Sequence, residues 1–326
     1  MNIAFAGFRH GHIFDLWNKA VNNTDIKISG AWEDNEEARN AAFKSHGIDF
    51  NYKSYEEILN DGNVDIVAIG DYYGKRGFLA IEALKAGKHV IADKPLCISL
   101  DELDMIEKIS KEKKLCVSCM YSMRYGATAV ILKEIVKSGR LGTVHSIFFS
   151  GQHPLMYGTR PSWYFEDGKH GGVINDIAVH GIDFIKYTLK LKTKTVIAAR
   201  EWNAFAVNEP AFKDSAQFML ELDNGAGVIA DVSYASPNSF SYSLPTYWMF
   251  NIWGSGGMVK FQGGSDAVEA YFEGAKEAEV IKYPAPKENY ITDIIDEING
   301  TGAPVITTSD VIESAHHALL IQKSAE

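Results

Sequence analysis

The sequence has few cysteines, no long apolar run and no excess of basic residues. Its 326 residues include only 3 cysteines. An odd, low cysteine count suits a reducing compartment, so we expect a cytoplasmic protein. The N-terminal stretch MNIAFAGF lacks the charged and apolar regions of a signal peptide. No apolar run approaches the ~20 residues that a membrane-spanning helix needs, so we expect no membrane partner.

The cysteines also give little support to redox or metal chemistry. Cys116 and Cys119 form a CxxC pattern within KLCVSCMY, and Cys97 stands apart from them. That segment is typical of a β-strand, in which residues three apart face opposite sides. No second cysteine pair completes a zinc site, so we interpret the cysteines as structural and expect no bound metal.

The charge balance argues against a nucleic-acid partner. Lys and Arg number 32 against 42 Asp and Glu, which gives a formal net charge of −10. Phosphate backbones are bound by basic stripes, and no block of Lys or Arg occurs here. The 46% hydrophobic and 23% charged content is ordinary for a globular protein. The length is sufficient for two domain cores.

Residues 1–120 alternate strand-like and helix-like segments. Apolar runs such as NIAFAG and VDIVAIG are separated by segments with helical spacing of apolar residues. Gly47 is placed to end one helix, while Ser54 and Ser99 are placed to begin two others. This alternation predicts an α/β Rossmann-like domain with a doubly wound parallel sheet.

The pattern changes after residue 120 and becomes strand-rich. We therefore expect a second, α+β domain over 121–326, with a helical tail over 286–326. Asn224 and Gly225 lie between two strand patterns and predict a tight hairpin in which both residues adopt positive φ. Several such strands in succession predict one large antiparallel sheet. The segment 173–189 is predicted to be a helix.

The turn after the first predicted strand carries an incomplete dinucleotide fingerprint. In AGFRHGH, Gly7 takes the first glycine position of G-x-G-x-x-G, and Arg9 stands at the second. The alternative is that Gly7 serves only the backbone of an ordinary loop and has no role in dinucleotide binding. At the end of the second strand, Glu33 is placed to accept hydrogen bonds from a ribose, which favours NAD over NADP. The alternative is that Asp34 or Asn35 only caps the next helix.

Three further residues suit hydride transfer from an alcohol. Lys94 follows a strand and precedes a proline, which restricts its backbone and points it toward the expected ligand crevice. Asp176 and His180 are four residues apart, which places them on one face of a helix. A neutral imidazole can accept the hydroxyl proton. The structural alternatives are that Lys94 is an ordinary surface lysine and that His180 is an ordinary core histidine. Asp176 and His180 could also bind a metal, but the sequence offers no third ligand at a spacing typical of a metal site.

The motifs together resemble the Gfo/Idh/MocA family, named for glucose–fructose oxidoreductase and inositol dehydrogenase. The resemblance covers nearly the whole chain. It rests on ALKAGKHVIADKP (83–95), GGVINDIAVHGID (171–183), KSGRLGTVHSI (137–147) and YSMRY (121–125). It implies a Rossmann domain, an open antiparallel sheet that forms homodimers or homotetramers, and catalytic roles for Lys94, Asp176 and His180. It also implies a cis peptide before Pro95.

The sequence departs from the family pattern around the expected cofactor. Asp93 replaces a glutamate, and Arg76 stands where a histidine is common. The resemblance and the residue patterns together give a set of expected NAD-binding residues, with NADP the less favoured cofactor. The set is Gly7, Phe8, Arg9, His10, Glu33, Asp71, Tyr73, Arg76, Asp93 and Lys94.

These expectations define an NAD-dependent dehydrogenase for a secondary alcohol of a sugar, polyol or sugar derivative. The expected substrate residues are Tyr121, Arg124, Trp163, Tyr164, Asp176 and His180. One alternative is an NAD-assisted glycosidase or eliminase of the same fold. The other is a regulatory relative that binds dinucleotide or sugar without turnover, which the unusual Arg9, Tyr73 and Arg76 motivate. His12, His316 and His317 are interpreted as structural or solvent-facing.

Overall fold

Five short apolar strands form the centre of the N-terminal unit. In the computed structural model, which describes residues 1–326, they are β1 (Asn2–Ala6), β2 (Lys27–Trp32), β3 (Ile66–Ile69), β4 (His89–Ala92) and β5 (Val117–Cys119). All neighbours pair in parallel, in the order β2-β1-β3-β4-β5. Ile3, Phe5 and Ile66 are fully buried, as expected for a parallel sheet covered on both faces. The predicted doubly wound sheet is confirmed.

Helices connect these strands, and their ends follow local capping chemistry. They are α1 (Ile13–Val21), α2 (Glu36–His46), α3 (Tyr55–Asn60), α4 (Tyr73–Lys85) and α5 (Leu100–Lys113). The Ser54 and Ser99 hydroxyls each accept a backbone N–H three residues on, at 3.2 Å. Gly47 ends α2 in the left-handed conformation at φ 65°. These three sequence predictions are confirmed.

An eight-stranded sheet dominates the second unit. Its elements are α6 (Ala127–Lys137), β6 (Val144–Pro154), α7 (Val179–Leu189), β7 (Thr193–Trp202), β8 (Ser215–Leu222), β9 (Gly227–Ser236), β10 (Met249–Gly254), β11 (Gly257–Gln262), β12 (Ala267–Phe272) and β13 (Glu279–Lys282). The strand order is β13-β12-β11-β10-β6-β9-β8-β7. One face packs on helices: a Cβ on Gly181 of α7 would lie 2.5 Å from the Phe149 ring of β6.

The predicted large sheet is confirmed, and it is antiparallel except for one pair of strands. β6 and β9 pair in parallel, while the other neighbours are antiparallel. The chain leaves β6 through α7 and returns by the antiparallel strands β7 and β8, so β9 arrives alongside β6 in the same direction. The β8–β9 turn also differs, because Gly225 has φ 86° whereas Asn224 is not in the positive region.

Two helices complete the chain, α8 (Tyr290–Asn299) and α9 (Thr308–Ala325). The N-terminal unit contains Met1–Met120, Gly168–Gly171 and Glu288–His316, and the second contains Tyr121–Asp167, Gly172–Lys287 and His317–Glu326. The sequence division assigned the whole tail to the second domain, whereas 288–316 belong to the first unit. None of the helices combines the length and apolar content that a membrane crossing requires.

Candidate active site

The ends of the parallel strands define a ligand crevice in the N-terminal unit. In the order β2-β1-β3-β4-β5, successive connections leave β1 in opposite directions, so the crevice opens at the carboxyl ends of β1 and β3. The loops that leave these ends and those of β2 and β4 carry Gly7–His12, Glu33–Asp34, Asp71–Tyr72 and Asp93–Lys94. Most of the predicted cofactor residues therefore lie on loops at one edge of the sheet, while Tyr73 and Arg76 lie in the first turn of α4.

Gly7 makes the turn out of β1. Its φ is 84°, and a Cβ at this position would lie 2.6 Å from the Asp71 Cβ. Any other residue would meet both backbone strain and a clash. The helix that follows, α1, begins after His12 without a side-chain cap. A glycine turn followed by an uncapped helix N-terminus fits the phosphates of a dinucleotide.

Arg9 connects the ends of three strands through ion pairs. Its guanidinium contacts the Glu33 carboxylate at 3.2 Å, the Asp71 carboxylate at 3.3 Å and the Asp34 carboxylate. The Arg9 side chain therefore lies across this part of the crevice edge, where the fingerprint has its second glycine.

Asn35 caps α2 by accepting the Ala38 N–H at 2.9 Å, as the alternative sequence interpretation proposed.

A second charged network surrounds Asp93, which is fully buried. Its carboxylate accepts hydrogen bonds from Arg76 at 2.9 Å and from the imidazole of His10, and contacts the His12 Nδ1 at 3.2 Å. Burial opposes ionisation of Asp93, but the charge of Arg76 and the hydrogen bond from His10 hold its pKa well below the usual range. The Tyr73 hydroxyl lies 3.1 Å from the His10 Nε2.

His10 is neutral in this network at ordinary pH. Burial is the largest cause, and with the charges of His12 and Arg76 it lowers the His10 pKa to about 4, although Asp93 opposes the shift. The sequence analysis treated His12 as structural, yet the ligand atoms of His10, His12 and Asp93 lie within 4.8 Å of one another. The Arg76 guanidinium pairs with the Asp93 carboxylate and balances its negative charge.

Arg76 also fixes the backbone around Lys94. Its guanidinium donates to the carbonyl oxygens of Asp71 at 2.7 Å, of Pro95 at 3.2 Å, and of Lys94. The Lys94–Pro95 peptide is cis, as the family resemblance implied. Lys94 itself is buried, so it is not the ordinary surface lysine of the alternative interpretation.

In the second unit, Asp176 lies in a π-helical turn, Ile174–Ala178, that precedes α7. The sequence analysis placed Asp176 and His180 on one regular helix face, and the wider turn corrects that prediction. The Asp176 carboxylate accepts a hydrogen bond from the Tyr234 hydroxyl of β9. Burial, followed by the charge of Asp176, raises the Tyr234 pKa well above its usual range, so the phenol keeps its proton.

Aromatic rings link Asp176 to His180. The His180 ring lies 5.7 Å from Trp248, which lies 5.5 Å from His153, and His153 lies 6.3 Å from Tyr234. Gly151 allows this packing, because a Cβ there would come within 3 Å of both Trp248 and Ile177. The second unit thus holds a carboxylate, two imidazoles and several aromatic faces in one buried cluster.

The remaining predicted substrate residues are buried in the second unit. Arg124 forms a bidentate ion pair with Asp183, at 2.8 and 2.6 Å. Trp163 and Tyr164 stack with ring centroids 4.1 Å apart. Tyr121 precedes a 3₁₀ turn over Ser122–Tyr125 and is 1% exposed. The geometry gives Arg124 a structural partner in its own unit.

Sequence reasoning missed His153, Tyr234 and Trp248. Each lies on or beside a strand of the mixed sheet, far in sequence from Asp176. The only available signals were polar or aromatic side chains at strand ends, such as His153 in SGQHP, and these occur in many unrelated strands. Their assembly depends on the β6–β9 pairing, which the sequence did not predict.

The fold combines a parallel-sheet unit, with the ligand crevice of a dinucleotide-binding domain, and a separate sheet unit. A family model described as the oxidoreductase family, NAD-binding Rossmann fold, matches residues 1–121. A model described as the GFO/IDH/MocA C-terminal domain matches residues 130–260. The chain belongs to the GFO/IDH/MocA family, and its first unit is an NAD-binding Rossmann domain.

A curated relative agrees with this membership. Myo-inositol 2-dehydrogenase of Thermotoga maritima is 28% identical over 188 residues, which are 56% of this chain and 54% of that protein. The chain therefore spans about half the length of this curated relative. Two solved structures share the fold: aldose-aldose oxidoreductase of Caulobacter crescentus complexed with glycerol (TM-score 0.81, 17% identity, 100% of this chain and 97% of that one) and levoglucosan dehydrogenase with NADH and levoglucosan (0.81, 19%, 100% and 97%).

Proposed function

We propose that this protein is an NAD-dependent dehydrogenase that oxidises a secondary alcohol of a sugar, polyol or sugar derivative, or reduces the corresponding ketone. The observation that carries the proposal is the buried cluster of Asp176, His180 and aromatic rings in a chain whose other unit is an NAD-binding domain. The names of the relatives, inositol and levoglucosan dehydrogenases, support the substrate class.

Each polar residue has a distinct role in the proposal. His180 accepts the hydroxyl proton as general base. Lys94 donates a hydrogen bond and stabilises negative charge that develops during the reaction. Asp176, held by the Tyr234 hydroxyl, orients the reacting hydroxyl or its neighbour. When bound, NAD supplies the nicotinamide carbon that accepts the hydride.

The aromatic cluster supports a carbohydrate-like substrate. Rings of Trp248, Tyr247 and Tyr242 lie 4.8 to 5.9 Å from the His153 ring. Burial, and then the charge of Tyr242, raises the Tyr247 pKa to about 12, so its phenol is an uncharged hydrogen-bond donor. Aromatic faces beside neutral hydroxyl groups suit a sugar, which presents C–H surfaces and hydroxyls together.

Replacement of His180 by Ala tests the proposal. We expect turnover of a sugar or polyol from a substrate panel to fall roughly 10²–10⁴-fold, the usual size of general acid–base catalysis. Reduced nicotinamide absorbance measures turnover, and calorimetric titration measures NAD binding. The matched control is His145→Ala, since His145 is an exposed histidine on β6. Full activity in His180→Ala removes this residue from the mechanism.

One observation favours a second candidate, a dinucleotide-binding regulatory relative without turnover. Arg9 lies at the second fingerprint position and is tied to three carboxylates. A protein of this kind binds NAD in the titration but reduces none of it with any member of the panel. Net production of NADH by the unmodified protein rejects this candidate.

We also propose a homodimer or homotetramer formed through the uncovered sheet face. Met219 and Ile229 are opposite each other on β8 and β9, and Ile197 of β7 is exposed on the same sheet. Their side chains are 41%, 52% and 56% exposed, respectively. An exposed apolar sheet face of this kind commonly marks a protein interface.

A further inference from the structure

The π-helical turn that carries Asp176 is capped by a side chain from a distant helix. The first N–H groups of a helix have no partner within that helix, and no side chain next to this turn caps them. Here the backbone N–H groups of Ile174 and Asn175 donate to the Gln322 Oε1 of α9, at 3.1 and 3.3 Å. The Asp176 N–H donates to the Gly172 carbonyl oxygen at 3.1 Å. Gln322 therefore supplies from α9 the cap that the local sequence lacks.

The Gln322 amide is buried against this turn. The residue is only 4% exposed. A Cβ on Gly172 would overlap the Gln322 side-chain amide, so a glycine is needed for the close approach of the two segments. Because a buried amide is costly unless it is hydrogen-bonded, the partners of Gln322 are specified by the fold.

The other end of the same amide is fixed by Glu201 of β7. The Gln322 Nε2 donates to the Glu201 Oε2 at 2.7 Å. Burial raises the pKa of Glu201 against the hydrogen bond from Gln322; of the nearby charges, Glu326 also raises it and Lys213 lowers it. An amide has one donor end and one acceptor end, and Glu201 takes the donor end. The amide oxygen of Gln322 is thereby directed at the π-helical turn.

These contacts restrain Asp176 through its main chain as well as its side chain. The Asp176 carboxylate accepts a hydrogen bond from the Tyr234 hydroxyl of β9. Its backbone follows directly on the Ile174 and Asn175 N–H groups that Gln322 holds. Loss of the Gln322 contact would let the main chain of the turn shift, and the direction of the Asp176 carboxylate would change with it.

We propose that Gln322, oriented by Glu201, is a positioning residue for the reaction, because it holds the π-helical turn that sets the direction of the Asp176 carboxylate. Gln322 acts through Asp176 and not through contact with the substrate. The inference rests on the proposed function, in which Asp176 orients the reacting hydroxyl or its neighbour. A misdirected carboxylate lowers turnover, because catalysis is sensitive to small misplacements of the substrate.

Three variants separate the two ends of the Gln322 amide. Gln322→Leu fills the space but removes both the acceptor and the donor. Gln322→Glu keeps an acceptor for the turn and places a second carboxyl group against Glu201. The exchanged pair Glu201→Gln/Gln322→Glu interchanges the amide and the carboxylate, so a donor again lies between them. The control is Gln217→Leu, since Gln217 is an exposed glutamine on β8 of the same unit.

We expect Gln322→Leu to lower kcat/KM for a sugar or polyol of the panel roughly tenfold or more, the scale of lost hydrogen bonds in a buried site. Full activity in this variant overturns the inference. Gln217→Leu should match the unmodified chain.

The pH profile tests the pairing with Glu201. Gln322→Glu should retain activity at about pH 6, where the two facing carboxyl groups share a proton, and should lose it toward about pH 9, where both ionise. The exchanged pair should follow the profile of the unmodified chain. Lys213 and Glu326 face Glu201 in all of these proteins, so they cause no difference between them. Identical profiles for Gln322→Glu and the exchanged pair reject the role of Glu201.

A double-mutant cycle shows whether Gln322 acts through Asp176. In the Asp176→Ala background, Gln322→Leu should change kcat/KM by less than about twofold, since the side chain that Gln322 positions is absent. Equal fold losses with and without Asp176 indicate a general structural role and overturn the inference.

Amide hydrogen exchange of the peptide over 173–178 needs no turnover. Exchange, measured by mass spectrometry, should be roughly tenfold or more faster in Gln322→Leu and close to the unmodified rate in the exchanged pair. Unchanged exchange in Gln322→Leu rejects the inference even if every sugar assay fails. Absence of NADH production by the unmodified chain rejects the proposed function and leaves this measurement intact, so the two proposals fail separately.

Discussion

His10 should make the stability of this protein depend on pH between pH 7 and pH 5. The pKa of His10 is about 4 in the folded chain against 6.5 for the free side chain. Between these values the unfolded chain binds a proton that the folded chain does not. The free energy of unfolding therefore rises with pH through this window, and the contribution of His10 to it is lost as the pH falls.

The expected magnitude follows from the same two values. A shift of this size corresponds to about 3 kcal/mol across the whole window, since each pH unit is worth about 1.4 kcal/mol. Between pH 7 and pH 5 the His10 contribution falls by about 2 kcal/mol. The facing groups are Asp93, Arg76, His12 and Tyr73, and Asp93 stays ionised throughout because its pKa is well below 3.8.

Urea unfolding at the two pH values, monitored by circular dichroism, tests this reasoning with His10→Asn. The asparagine amide can still donate to Asp93 but cannot titrate. We expect this variant to lose about 2 kcal/mol less than the unmodified chain on acidification. His145→Asn, at an exposed position on β6, should behave like the unmodified chain. Parallel losses in His10→Asn and the unmodified chain would refute the assignment of a neutral, buried His10.

Two further predictions concern the second unit. Arg124→Met should lower the free energy of unfolding by about 3–5 kcal/mol in urea titrations, because it leaves the Asp183 carboxylate buried without its bidentate partner; a loss below ~1 kcal/mol would contradict this. Ile229→Lys should shift the sedimenting species toward the monomer, because it places a charge on the exposed sheet face. Val207→Lys, an exposed apolar position outside the strands, is its control, and equal sedimentation of both variants would argue against an interface at this face.

The fold of the N-terminal unit was readable from sequence because its signals are local. Short apolar runs, serine caps and glycine ends each act within a few residues. The parallel pairing of β6 with β9 was not readable, because it depends on the path of two intervening strands and not on any residue pattern. The assignment of 288–316 to the first unit likewise depends on packing between distant segments.

Within the candidate site, the sequence indicated which residues could be catalytic, but it did not predict the side-chain contacts that surround them. Lys94, Asp176 and His180 were selected by residue type and motif, and their roles stay proposals. The network of Arg9 with Glu33 and Asp34 could not be foreseen, because it joins two loops 24 residues apart through side-chain geometry. The same limitation hid His153, whose ring neighbours come from β9 and from the connection between β9 and β10.

The π-helical turn over Ile174–Ala178 gives this protein a point of adjustment in its second unit. A π-turn holds one residue more than a regular helical turn, so deletion of a single residue between Asp176 and α7 would let α7 extend upstream as a continuous helix. Every side chain before the deletion would then rotate by about 100° around the helix axis. Asp176 would swing away from the Tyr234 hydroxyl while His180 stayed in place. Natural variation in length at this turn therefore offers a route by which related chains could exchange one chemistry for another while the surrounding scaffold is retained.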